Sequence, residues 1–175
     1  DVDEKVRELL RKIEEDLRRS VKELRELAKR IEEDLRRISK KSKDLLKKIK
    51  DDVKRAGLPE DILRRLDELA KRLEKKNEDI RRDLERVARE IDKENEDMRK
   101  KLKEDVDRLE DLLRRGEVKE EDLKRVIEEL KKEVEELHRR NEKIIRELED
   151  KVRRVREDNE RVIEELARDV ERAER

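Results

Sequence analysis

The segment Lys54-Arg55-Ala56-Gly57-Leu58-Pro59-Glu60-Asp61 decides how this chain folds. Glycine suits the left-handed position just past a helix end, and proline suits the first turn of the next helix. The basic pair before Gly57 and the acidic pair after Pro59 complement the dipoles of a helix that ends and one that begins. The segment reads as stop, tight turn, restart. Arg114-Arg115-Gly116-Glu117-Val118-Lys119-Glu120-Glu121-Asp122 follows the same grammar without the proline. Two Gly and one Pro occur in 175 residues, so nothing else punctuates the chain. Three helices are expected, at about 2–56, 59–115 and 119–174, within a single domain over 1–175. Connections this short turn consecutive helices antiparallel. At 1.5 Å per residue each helix extends roughly 80 Å.

Outward from the turns, the apolar stripe sets the packing. In the first helix apolar or small residues recur from Val2 and Val6 through Leu9, Ile13, Leu17, Ser20, Leu24 and Leu27 to Leu45, Ile49, Val53 and Ala56. Their mean step is the 3.6 residues of an undistorted helix. A heptad frame begun at Val2 and Val6 would land on Asp16, Glu23 and Arg30 instead. The pattern repeats every 18 residues, or five helical turns. The third helix repeats most cleanly, with Val126/Ile144/Val162, Ile127/Ile145/Ile163, Leu130/Leu148/Leu166 and Val134/Val152/Val170. The second follows with Ile62/Ile80/Met98, Leu66/Leu84/Leu102 and Leu73/Ile91/Leu109. A repeat that matches the natural pitch requires no supercoil. The expected fold is therefore all-α, an up-down-up antiparallel bundle of three long, nearly straight helices. Its stripes close on one another and leave no apolar patch over.

Composition narrows the function. Charged residues make up 63% of the chain, 55 basic against 55 acidic, and aromatic residues and cysteine are absent. Zero cysteine excludes disulfides and thiolate metal sites. Balanced charge and the lack of aromatic stacking platforms argue against a nucleic-acid partner. No apolar run is long enough to cross a membrane, and none resembles a signal peptide. The expectation is a monomer that needs no partner, with a homo-oligomer as the other possibility. With no targeting signal, the cytoplasm of an expression host is its expected place. Asp1 in first position, without an initiator Met, fits a processed chain.

Eight uncharged polar residues stand out against the charged surface: Ser20, Ser39, Ser42, Asn77, Asn95, His138, Asn141 and Asn159. Six of them fall on the apolar stripe at i−4/i+3 or i−3/i+4 spacing, while Ser39 and His138 lie on its flank. Folding the chain at its turns brings first- and second-helix residues to one height where their numbers sum to about 116. The corresponding value for the second and third helices is about 232. Two cross-sections then collect the polar residues. One holds Ser20, Asn95, Asn141 and His138; the other holds Ser39, Ser42, Asn77 and Asn159. An unpaired buried amide or hydroxyl costs about 1–3 kcal/mol, so residues clustered at one height are expected to satisfy each other. Such a layer also penalises sliding one helix by a turn.

Little else could carry chemistry. His138 is the only imidazole, and one His among carboxylates such as Glu135 and Glu142 falls short of the four ligands of a usual zinc site. No serine is expected to have a histidine base and a pocket at catalytic reach. Two glycines cannot build a phosphate-binding loop. Neither catalytic residues, a cofactor nor a metal is expected, and a fully packed bundle offers no pocket.

The 18-residue repeat, the Gly57-Leu58-Pro59-Glu60-Asp61 turn, the Glu/Lys/Arg/Asp surface and the Ser/Asn layers give the whole chain a resemblance to de novo designed helical bundles. That family implies idealised helices, core hydrogen-bond networks and a very stable, thermostable monomeric scaffold with no natural ligand. Spectrin-like natural repeats differ in their heptad patterns, aromatic cores and varied surfaces. The other expected role is a coiled-coil interaction module that self-associates or pairs with another helical chain.

Overall fold

The computed structural model describes the backbone of residues 2–174 and the side chains of residues 4–174. Asp1 and the side chain of Val2, both used in the sequence analysis, lie outside the described residues. Three α-helices account for nearly all of it: α1 (Val2–Arg55), α2 (Glu60–Arg114) and α3 (Glu120–Glu174). All three pairs of helices are in contact, and no strand occurs among the described residues.

The two turns are built alike. Gly57 and Gly116 have φ of 65° and 68°, the left-handed region in which a side chain is strained. Leu58 N donates to Val53 O and Gly57 N to Lys54 O, the paired bonds that cap the last turn of a helix. Glu117 N to Leu112 O and Gly116 N to Leu113 O repeat them. Lys54 and Arg55 close α1, and Glu60 and Asp61 open α2, each on the side that the helix dipole favours. One assignment needs correcting. Ala56 belongs to the turn and is exposed, because the cap at Gly57 ends α1 at Arg55.

The chain divides into two compact units, each taking a segment of all three helices. The first comprises Asp1–Leu27 and Arg86–Ile145. Its core joins Leu10, Ile13 and Leu17 of α1 to Leu102 and Leu109 of α2 and to Leu123, Ile127 and Leu130 of α3. The second comprises Ala28–Glu85 and Arg146–Arg175. There Leu46, Ile49 and Val53 pack with Leu66 and Leu73 and with Ile163 and Val170.

Cross-helix pairs fix the register within each unit. Arg25–Asp92 in the first unit, and Lys43–Glu74 and Lys50–Asp67 in the second, join α1 to α2, and each pair of numbers sums to 117. Lys101–Glu133 joins α2 to α3 at 2.9 Å, with a sum of 234. Both values lie within two of those read from the turns, and α1 and α2 run antiparallel. The Glu133 carboxylate, bonded to Lys101 and close to its charge, raises the lysine pKa above its ordinary value. These ion pairs are exposed and contribute little each. The buried stripe holds the helices together.

Burial follows the 18-residue repeat in most rows, although Ile62 and Met98 are half-buried where Ile80 is buried, and Leu166 is half-buried where Leu130 and Leu148 are buried. Ile127, Ile145 and Ile163 are all buried, whereas Val126, Ile144 and Val162, one position earlier, are all half-buried. In α1 the stripe departs from expectation at two places. Leu9 and Leu45 are 40% and 36% exposed, and the neighbouring Leu10 and Leu46 are buried instead. Successive residues point about 100° apart on a helix, so only one of two adjacent leucines can face inward.

Candidate functional site

The eight uncharged polar residues are distributed as four and four, one set in each unit. Ser20, Asn95 and Asn141 are buried in the first unit, with His138 half-buried on the flank. Ser42, Asn77 and Asn159 are buried in the second, with Ser39 half-buried on the flank. Helical periodicity explains the difference. The six buried residues occupy stripe positions that would otherwise hold Leu, Ile or Val.

Each layer makes a hydrogen bond between α1 and α3. In the first unit the Ser20 hydroxyl lies 2.5 Å from His138 Nδ1. In the second, Asn159 Nδ2 donates to Ser42 Oγ at 3.4 Å. The partners are 118 residues apart in sequence in the first unit and 117 in the second. The rest of each layer is less connected than its composition suggests. Both side-chain polar atoms of Asn95 and of Asn141 have no protein partner, and neither does Oδ1 of Asn77 or of Asn159. Co-planarity brings the amides to one height, but an amide pairs only when a hydroxyl or carbonyl stands opposite it.

His138 carries the densest polar contacts. Beyond Ser20, its Nε2 lies 3.2 Å from Glu142 Oε2, one turn along α3, and 4.0 Å from Glu23 Oε2 on α1. A serine therefore does have a histidine at hydrogen-bond reach, contrary to the sequence-based expectation. The i to i+4 step from His138 to Glu142 was visible in the sequence. The sequence also placed Ser20 and His138 in one layer; that the hydroxyl reaches Nδ1 depends on the side-chain geometry at the α1–α3 seam.

Pockets also occur where none were expected. An open groove of about 210 Å³ runs beside Ser20 and His138. A larger one, about 750 Å³, lies between α1 and α2 of the first unit, walled by Leu17, Val21, Leu102 and Val106. Among the described residues no cluster of three or more His, Cys, Asp or Glu is arranged to hold a metal ion. No helix among them is long and apolar enough to cross a membrane. No protein-family model, curated protein or solved structure matches the chain.

Proposed function

We propose that the chain is a structural scaffold of designed origin, in which buried polar residues specify how three helices of one polypeptide are registered. One observation carries this reading: an 18-residue repeat runs through all three helices, and rows such as Ile13/Ile31/Ile49, Leu66/Leu84/Leu102 and Ile127/Ile145/Ile163 are buried throughout. Strict repetition over three long helices follows from optimising one helical geometry. The Ser20–His138 and Ser42–Asn159 bonds support a register role, because each ties α1 to α3 at one height. Sliding α1 by a turn would leave both buried serines and their partners unpaired.

Leu9 and Leu45 favour a second reading. Two exposed leucines on α1, two repeats apart, suit an interaction module whose α1 packs against another helical chain. Light scattering over a wide concentration range separates the two. The scaffold requires a constant mass of 21.5 kDa; the module requires a multiple of it at high concentration. As a scaffold of this class the protein should also remain folded to about 90 °C.

A further inference from the structure

Ser20 and His138 do more than hold α1 against α3. The imidazole is engaged at both nitrogens, with Ser20 Oγ at Nδ1 and Glu142 Oε2 at Nε2. A carboxylate only accepts hydrogen bonds, so a neutral ring that turns Nε2 toward Glu142 at 3.2 Å would carry its proton there and keep its Nδ1 lone pair for the serine hydroxyl. That is the tautomer a general base at Nδ1 requires. Nucleophile, base and orienting carboxylate each stand within hydrogen-bond reach of the next, the arrangement that activates a serine. Ser20 itself is buried, at 6% exposure, and the cluster meets solvent through the imidazole and the groove beside it. His138 is 27% exposed, and Ser20, His138, Arg19 and Arg139 all line the groove of about 210 Å³.

We propose that Ser20 is a base-activated nucleophile that accepts the acyl group of a small activated ester, with His138 as its general base and Glu142 as the residue that positions the ring. Ser20 Oγ attacks the ester carbonyl carbon while its proton passes to His138 Nδ1. The carbon–oxygen bond to the leaving group breaks, and the departing aryloxide takes that proton, leaving acyl-Ser20 and a neutral imidazole. Water then attacks the same carbon and gives its proton to Nδ1, which returns it to Ser20 Oγ as the carboxylic acid leaves. This second step is the slower one, because a serine alkoxide is a poorer leaving group than an aryloxide. The backbone N–H groups around Ser20 are committed to helical carbonyls, so no pair of them is available for the oxyanion. Arg19 and Arg139 offer side-chain charge in its place. Acyl-Ser20 therefore accumulates instead of turning over rapidly.

The test uses the full chain and p-nitrophenyl acetate, with p-nitrophenolate release followed optically and the acetylated residues located by peptide mass mapping. The expected result is one acetyl group per chain at Ser20. Ser20→Ala abolishes that label, and His138→Asn slows its formation by about 100-fold or more. His138→Asn keeps an acceptor for the hydroxyl but removes the base, and His138→Gln serves as a second base-free variant should the first fail to fold. Glu142→Gln slows acylation with helicity and melting unchanged, and Glu142→Asp restores part of the rate. Acetyl groups confined to lysines and the chain terminus would overturn the proposal. So would acylation of Ser20 at an unchanged rate in folded His138→Asn or His138→Gln, or acetyl-His138 that persists in Ser20→Ala.

Discussion

The two polar layers are the same device executed twice, with different success. Asn77 and Asn95 are one 18-residue repeat apart on α2, as are Asn141 and Asn159 on α3. In the second unit Asn159 meets Ser42 and donates a hydrogen bond to it. In the first unit no serine of α1 meets Asn141, and neither polar atom of Asn141 has a protein partner. The helix-1 serine of the first unit stands at Ser20 instead, where it finds His138. The repeat of an asparagine is thus not the repeat of a hydrogen bond. What separates Asn159 from Asn141 is that an α1 serine reaches Asn159 and none reaches Asn141, although Asn159 still leaves Oδ1 without a protein partner.

Substitutions can break that contrast at several levels, and the largest effect should come from charge. Asn141→Asp places a carboxylate where burial is nearly complete and no protein donor stands, and is expected to cost more than about 3 kcal/mol at neutral pH. Asn159→Asp should cost less, since the Ser42 hydroxyl can turn to donate to the carboxylate. Burial raises the pKa of such an Asp above its unfolded value, so the lost stability returns as pH falls through that raised pKa. Urea denaturation at two pH values checks both the size and the sign. At Asn95 and Asn77 the same ordering holds, with Asn→Asp more damaging than Asn→Leu.

Next in size is the choice between adjacent leucines. Leu10→Ala should cost about 2–5 kcal/mol and Leu9→Ala less than about 1 kcal/mol. Leu46→Ala and Leu45→Ala should repeat that asymmetry in the second unit, read as shifts of the denaturation midpoint. Equal losses at Leu9 and Leu10 would mean that both face the core.

Removing the orphaned amide should help. Asn141→Leu eliminates two unpaired buried polar atoms and is expected to stabilise by about 1–3 kcal/mol. Asn159→Leu should gain less, or lose, because Ser42 is left without its partner. The smallest difference belongs to the turns. Gly57→Ala and Gly116→Ala should each cost about 1–2 kcal/mol, the strain of a left-handed residue. They should do so equally, because an added Cβ meets nothing within 4 Å at either site.

Much of this was legible beforehand because it rests on local rules. Gly57 and Gly116 marked the turns, since only glycine takes their positive φ without strain. The stripe of 3.6-residue period identified six polar residues as buried, and all six are. Turn arithmetic placed the helix pairs to within two residues. What failed depends on side-chain reach. The sequence position of Leu9 cannot separate it from Leu10, because the two share a turn and compete for one inward direction. Likewise, height alone brought Asn95 and Asn141 into one layer, but pairing needed direction as well. The turn arithmetic did bring Ser20 and His138 to one height, whereas the grooves beside α1 left no mark in it.

The central claim is that a serine of α1 locks α3 in register through one buried hydrogen bond. A double-mutant cycle on Ser42 and Asn159, with alanine at each position and stability measured in urea, tests it directly. A favourable coupling of about 0.5–1.5 kcal/mol between the two residues is expected. A coupling of zero, with the two losses simply adding, would contradict it.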